Sequence, residues 1–225
     1  MKLKFLGNGS GFSNTHTGAY FTIDDNIIFI DCSMLNVNKM VELSKDFQNV
    51  YVYITHMHLD HISGLGLFVQ YMFYTQQKKL NIRVPHVLVE NVETFLNLTG
   101  IPLNICDLDF IHKENKNFRF IPIVTTHAPE LRNKCFGYLI EINKEKCIYT
   151  GDTNTLLPFL KYKQDVKEFY IDVSASYGSV HLKYDDIKDT LFELSKQSEI
   201  YIMHIDDEQL MNKLIENTPF KIAEI

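Results

Sequence analysis

The chain has 225 residues, enough for one large domain or two small ones, and 45% of them are hydrophobic, so a sizeable core can be buried. A net charge of −6 argues against a surface built to hold long nucleic acid, which needs a basic stripe. It leaves room for a small anionic substrate, because a bound cation inverts the local field.

No apolar run approaches the about 18 residues of a membrane span. The start "MKLKFLGNGS" turns polar too soon for a secretory signal. Cys32, Cys106, Cys135 and Cys147 form no C-x-x-C pair, which predicts a reduced, cytoplasmic protein with its cysteines in the core. There is no repeat, low-complexity tract or Pro/Gly/Ser linker, so residues 1–225 are expected to form a single domain.

In chain order, "LKFLG" reads as a strand. "AYFTID" and "NIIFID" read as two more, joined by a turn at Asp24-Asp25-Asn26. "VNKMVELSKDF" spaces Val37, Met40, Val41, Ser44 and Phe47 as an amphipathic helix. "VYVYIT" is a buried strand, and "GLGLFVQYMFYTQQ" a helix apolar nearly all round and therefore well buried. "HVLVE" predicts a strand, and Asn91 the N-cap of a helix "VETFLNLTG".

"FRFIPIVTT", "CFGYLIEI" and "KCIYTGD" predict three successive strands, followed by a short helix with Pro158 in its first turn. "EFYIDVS" and "EIYIMH" are strands, each followed by a helix, and "FKIAEI" is a last strand. The basic stretches "NIRVPH" and "HKENKNFRF" read as solvated loops or strand edges. The second half repeats the style of the first, which predicts two packed sheets with helices outside.

Reactive residues recur where strands end: Asp31, His56, His127, Asp152 and His204. Loops at the edge of a rigid scaffold are where a site is assembled. "THMHLDHISG" adds His58, Asp60 and His61. On extended chain His56 and His58 point the same way, so both reach one ion. Four ligands from one short turn do not surround a tetrahedral ion held at about 2 Å.

A division between two ions is more natural. His56, His58 and His127 would hold one; Asp60, His61 and His204 the other; Asp152 would bridge them, with Gly151 allowing close backbone approach. Such a pair about 4 Å apart lowers the pKa of a shared water and clamps a substrate oxygen. Imidazole and carboxylate suit zinc, and also manganese or iron.

The run His56-x-His58-x-Asp60-His61 with isolated His127, Asp152 and His204 resembles the metallo-β-lactamase fold superfamily over almost the whole chain. That resemblance implies an α/β chain of αββα type, a four-layer sandwich of two mixed sheets with helices outside and a dimetal site at one edge. Asp152 in "TGDT" is similar to the hydrolase and phosphodiesterase branches. "KLKFLGNGSGFSN" and the closing "GDT…VHLKYDD…YIMH" look like the ribonuclease Z-like phosphodiesterase branch.

His181 matches that branch's acid-donor histidine, with a helix-start packing role as the alternative. Asp60 would be both ligand and orienter of the hydroxide. Asp31 would orient a ligand histidine or serve as a turn carboxylate. By eye, Val173 falls where ribonuclease Z has the glutamate of its His-Glu-Ala-Thr motif. The long arm with which that enzyme grips transfer RNA has no counterpart here.

Compact members of the branch include phage anti-Pycsar enzymes, homodimers of this size class that destroy cyclic mononucleotides. The resemblance therefore implies a homodimeric phosphodiesterase with two divalent ions, zinc foremost, acting on a small cyclic nucleotide. It would have no membrane or stable long nucleic-acid partner, and would work in the host cytoplasm if phage-encoded. A tRNA-processing endonuclease, a lactone or thioester hydrolase and a non-catalytic ligand-binding protein are the competing expectations.

"GNGSGFS" is not a dinucleotide loop, because strand rather than helix follows it. It predicts a tight turn lining the site, with Ser10, Asn14 or His16 near substrate. Phe68, Tyr71 and Phe73 are either core or a base-stacking wall.

Overall fold

The computed structural model describes residues 2–111 and 117–225. Two six-stranded sheets form its centre. The first runs in spatial order β1 (Lys4–Gly7), β2 (Gly18–Ile23), β3 (Asn26–Ile30), β4 (Asn49–Tyr53), β5 (Leu80–Val84), β6 (Cys106–Phe110). The second holds β7 (Phe118–Val124), β8 (Phe136–Ile142), β9 (Glu145–Tyr149), β10 (Val166–Asp172), β11 (Glu199–Met203) and β12 (Lys221–Ile222), again neighbours in that order. Each sheet begins as an antiparallel meander of three strands and continues in parallel. This is the repeated style expected from the two halves of the sequence.

Period-two alternation explains the layers. In β3, Ile28 and Ile30 join the core between the sheets, while Ile27 and Phe29 join the core under the first helices. Both faces are buried, so the strand reads as the unbroken apolar run "NIIFI". Tyr53 stacks on Phe120 across the inter-sheet layer with ring centroids 3.7 Å apart. Outside the first sheet lie α1 (Val37–Ser44), α2 (Leu59–Ile62), α3 (Leu65–Gln70) and α4 (Val89–Leu98). Outside the second lie α5 (Leu157–Leu160), α6 (Tyr184–Ser195) and α7 (Glu208–Ile215). The result is the αββα sandwich. All four cysteines are free and buried.

Several local expectations are corrected. "HVLVE" is not a strand. A 3-10 turn over His86–Leu88 follows Pro85 and leads into α4, with Leu88, Val92 and Leu96 buried at helical spacing. Asn91 therefore lies inside the helix rather than at its cap. The apparent alternation misled because Val87 is exposed. Residues of "NIRVPH" form β5, an interior strand, and Arg83 pairs with Asp107 on β6 at 2.8 Å.

The stretch 64–77 is α3 continued by a π-helical turn, Tyr71–Thr75, and it is not buried all round, since Leu67 and Tyr74 are exposed. Phe68 is core, and Tyr71 and Phe73 pack against the same core. Of "HKENKNFRF", residues 112–116 lie outside the described residues. Phe118 and Phe120 are buried on the edge strand β7.

Candidate metal centre

Parallel strands share their carboxyl ends on one edge of a sheet. The residues following β3 and β4 in one sheet, and β9, β10 and β11 in the other, therefore meet at one rim of the sandwich. Asp31, Gly151 and His204 take the left-handed conformation there, with φ of 65°, 57° and 58°. For Asp31 and His204 that conformation costs energy, and it turns each chain abruptly into the site. At Gly151 a Cβ would sit 2.4 Å from the Phe136 carbonyl oxygen, so glycine is required.

Two groups of donor atoms converge at the rim. In the first, His58 Nδ1 lies 3.1 Å from His56 Nε2 and 3.2 Å from His127 Nε2. Asp152 Oδ2 lies 3.7 Å from His56 Nε2 and 3.5 Å from His127 Nε2. In the second, Asp60 Oδ2 lies 3.2 Å from His61 Nε2 and 3.3 Å from His204 Nε2. Asp152 approaches these two histidines at 3.3 Å each, through Oδ1 and Oδ2 respectively. Asp152 thus belongs to both groups. Ligand atoms each about 2 Å from a tetrahedral ion stand about 3.3 Å from one another. The observed spacings match that figure. His61 Nε2 is buried with no hydrogen-bond partner, as a lone pair reserved for a cation is. The donor set fits divalent ions, and the chain carries a divalent-metal site here.

The far nitrogens of His56, His61 and His127 are engaged as metal-ligating histidines require, while His204 Nδ1 lies 3.6 Å from Asp172 Oδ1. His127 Nδ1 donates to the Val180 carbonyl at 2.8 Å; a carbonyl can only accept, so in the neutral ring Nε2 keeps its lone pair for the centre. His61 Nδ1 donates to Asp31 Oδ2 at 2.8 Å. Asp31 also accepts from the Thr55 backbone N–H at 2.8 Å and from Thr55 Oγ1, which lies 3.0 Å from His56 Nδ1. One buried carboxylate, Asp31, therefore supports a histidine of each group, one directly and one through Thr55.

Burial acts against charge on His61 and His204, but the surrounding carboxylates together override it: Asp152, Asp31 and Asp60 at His61, and Asp152, Asp172 and Asp60 at His204. His61 is held well above the ordinary histidine value and His204 is raised to about 10. Burial would lift Asp152, yet the charges of His204, His61 and His56 hold it well below the carboxylate range. His56 is pushed well down by burial and by His61.

His181 completes the rim. Its Nδ1 lies 2.8 Å from Asp172 Oδ2, and although burial opposes it, Asp172 raises its pKa. Asp172 is fully buried at the end of β10 and also accepts from the Thr153 N–H at 2.9 Å. Sequence reading missed it. Val173, aligned by eye with the glutamate of ribonuclease Z, points into the core under α6. The carboxylate partner of His181 is one residue earlier. The available signal was that "YID" ends a strand as "IFID" does at Asp31.

The rim opens into a cleft of about 1090 Å³ lined by His58, Asp60, His127, Asp152, His181 and His204, with Ser10, Gly11 and His16 along one wall. Asn14 is not among the lining residues. A Cβ on Gly11 would stand 2.9 Å from Asp60 Oδ2, so the loop passes close to the ligand carboxylate. Phe68, Tyr71 and Phe73 do not line the cleft. Among the described residues, no lysine or arginine lines it.

The anti-Pycsar protein Apyc1 family model matches residues 1–223. The chain belongs to that family. An anti-Pycsar protein Apyc1 of Bacillus phage vB_BsuM-Goe3 is 24% identical over 234 residues, which cover 92% of this chain and 89% of the relative. A ribonuclease Z of Metallosphaera sedula is 30% identical over 146 residues, covering 63% of this chain and 48% of that enzyme. Among solved structures, the metallo-β-lactamase fold protein YhfI from Bacillus subtilis superposes with a TM-score of 0.79 at 15% identity, over 99% of this chain and 95% of that one. The fold is therefore that of the metallo-β-lactamases, in the ribonuclease Z-like branch, and the chain is a metal-dependent hydrolase. No helix among the described residues is long and apolar enough to cross a membrane.

Proposed function

We propose that this protein is a dimetal phosphodiesterase that hydrolyses small cyclic mononucleotides and so counteracts cyclic-nucleotide antiphage signalling. The observation that carries the reading is the pair of donor groups sharing Asp152 at the floor of a cleft that, among the described residues, no lysine or arginine lines. A polynucleotide or a polyphosphate spreads several negative charges and needs cations along the wall. A cyclic mononucleotide carries one, which the centre itself can meet. Family membership and the phage relative support the same reading.

His56, His58, His127 and Asp152 would hold one ion; Asp60, His61, His204 and Asp152 the other. Two divalent ions bound there, zinc foremost with manganese or iron as alternatives, supply Lewis-acid charge to the phosphate and acidify a water. The protein's own groups do the rest. Asp60 orients the water, and Asp31 and Thr55 hold His61 and His56 in the ligating tautomer. The bond from phosphorus to the 3′ oxygen breaks as a water oxygen takes its place, leaving a 5′-monophosphate. The departing alkoxide needs a proton, and His181, whose protonated form Asp172 favours, lines the cleft to give it.

We further read the protein as a homodimer acting in the cytoplasm of a host cell, a reading that four free buried cysteines suit. Purified protein loaded with zinc or manganese is expected to convert 3′,5′-cyclic mononucleotides to 5′-monophosphates and to lose that activity on chelation. Absence of turnover with any cyclic mononucleotide, with metal bound, rejects the proposal. Retardation of transfer RNA at low salt together with its cleavage would transfer the assignment to a ribonuclease Z-type reaction.

A further inference from the structure

Two aromatic side chains at the mouth of the cleft take no part in the metal centre. Phe12 is fully exposed on the loop between β1 and β2, and Tyr177 is 70% exposed on the loop after β10. Both line the cleft, one from the loops of each sheet. Exposed aromatics on free loops would carry little meaning, but these loops are fastened. The Ile205 carbonyl accepts from the Ser10 N–H at 3.0 Å and from Ser13 Oγ at 3.2 Å, one on each side of Phe12. The Asp206 carboxylate accepts from Ser174 Oγ at 2.7 Å, the Ala175 N–H at 2.7 Å and the Ser176 N–H at 3.2 Å. Ser174 Oγ in turn accepts from the Tyr177 N–H at 2.7 Å. Both aromatic loops are therefore tied to a single dipeptide, Ile205-Asp206, which directly follows His204 of the metal centre. Walls held in place before ligand arrives bind more tightly, because less motion is lost on binding.

We propose that Phe12 and Tyr177 form a stacking subsite for the nucleobase, and that Asp206 is a positioning residue that sets Tyr177 relative to the metal centre. The inference rests on the phosphodiesterase reading above and adds to it the place of the base. A phosphate seated at the cleft floor leaves the base toward the mouth, where Phe12 and Tyr177 supply the aromatic part of a lining that also includes Leu59 and Val180. Stacking needs only a π-face and contributes about 1–3 kcal/mol per base.

The test compares a cyclic mononucleotide with base-free ribose 3′,5′-cyclic phosphate on the zinc-loaded full chain. For Tyr177→Ala and Phe12→Ala, the ratio of kcat/KM for the nucleotide to that for the base-free ester is expected to fall roughly tenfold, mostly through KM. Tyr177→Phe should hold the wild-type ratio. Asp206→Ala should lower the ratio in the same direction as Tyr177→Ala, adding little in the double variant, and Asp206→Asn should recover part of it.

A ratio that stays at the wild-type value in both alanine variants overturns the subsite. So does an equal loss on both substrates, or a Phe12→Ala effect confined to oligomeric state in sedimentation. If Asp206→Ala and Tyr177→Ala lower the ratio independently, the positioning role of Asp206 is wrong. Wild-type protein that hydrolyses the base-free ester as well as the nucleotide rejects the subsite alone. Wild-type protein that hydrolyses neither rejects the phosphodiesterase reading and the subsite with it.

Discussion

The chemistry of single residues here is set by what stands behind them. His181 is an ordinary histidine until Asp172, buried and 2.8 Å away, favours its protonated form. If that proton goes to the leaving oxygen, its loss matters most where the leaving group is a poor one. His181→Ala is expected to lower kcat by about 10²–10⁴-fold on a cyclic nucleotide, whose leaving group is an alkoxide. It should be far milder on a p-nitrophenyl phosphodiester, whose leaving group departs without a proton. Asp172→Asn should follow the same pattern more weakly. Equal losses on both esters would show that His181 acts by shaping the cleft instead.

At the scale of elements, β4 and α2 form one ligand-bearing unit. His56 and His58 leave the strand toward one donor group, and the first turn of the helix carries Asp60 and His61 to the other. The chain changes from extended to helical at His58, which is extended with φ −66° and ψ 148° and precedes α2. That change of direction is what divides the hexapeptide His56–His61 between the two donor groups.

Asp60→Asn should therefore spare the ion of His56, His58 and His127 while abolishing most activity. His56→Ala should weaken that ion and leave the other. Metal content per chain by atomic absorption, set beside activity, separates these outcomes. Full activity in both variants would refute the division. The element scale is also where sequence reading slipped. "HVLVE" has the composition of a strand, and β6, "CDLDF", does not. The first is turned into helix by packing of Leu88, Val92 and Leu96. The second is admitted to the sheet by pairing with β5.

For the whole molecule the metal centre joins the two sheets, since its ligands come from both. Metal binding should therefore stabilise the entire fold. The direction with pH follows from the groups already described. In the metal-free protein, His61 and His204 have raised pKa values, so their protonated forms stabilise the fold fully below the ordinary histidine value. That contribution fades as pH rises through their raised values. A metal ion must displace those protons, and each one displaced makes binding about tenfold tighter per pH unit. The difference in Tm between zinc-loaded and chelated protein is thus expected to widen from pH 6 to pH 9. Differential scanning calorimetry measures it, and a gap that narrows with pH would contradict the protonated picture of the centre.

The sequence by itself determined most of the fold and the donor set. Apolar alternation with both faces buried is a local property, so strands such as "NIIFI" and "EFYID" are legible without a structure. The run from His56 to His61 is also local, and together with the isolated His127, Asp152 and His204 it is enough to name a superfamily. What tertiary structure decided was which residue stands behind which. Asp172 rather than position 173 reaches His181, because alternation along β10 sends one side chain to the rim and the next into the core. Phe12 and Tyr177 become one pair of walls because Ile205 and Asp206 hold loops some 165 residues apart in sequence (12 to 177) on a common support. Hydrogen bonds across such separations leave no period or spacing in the chain, and they arise when the two sheets pack.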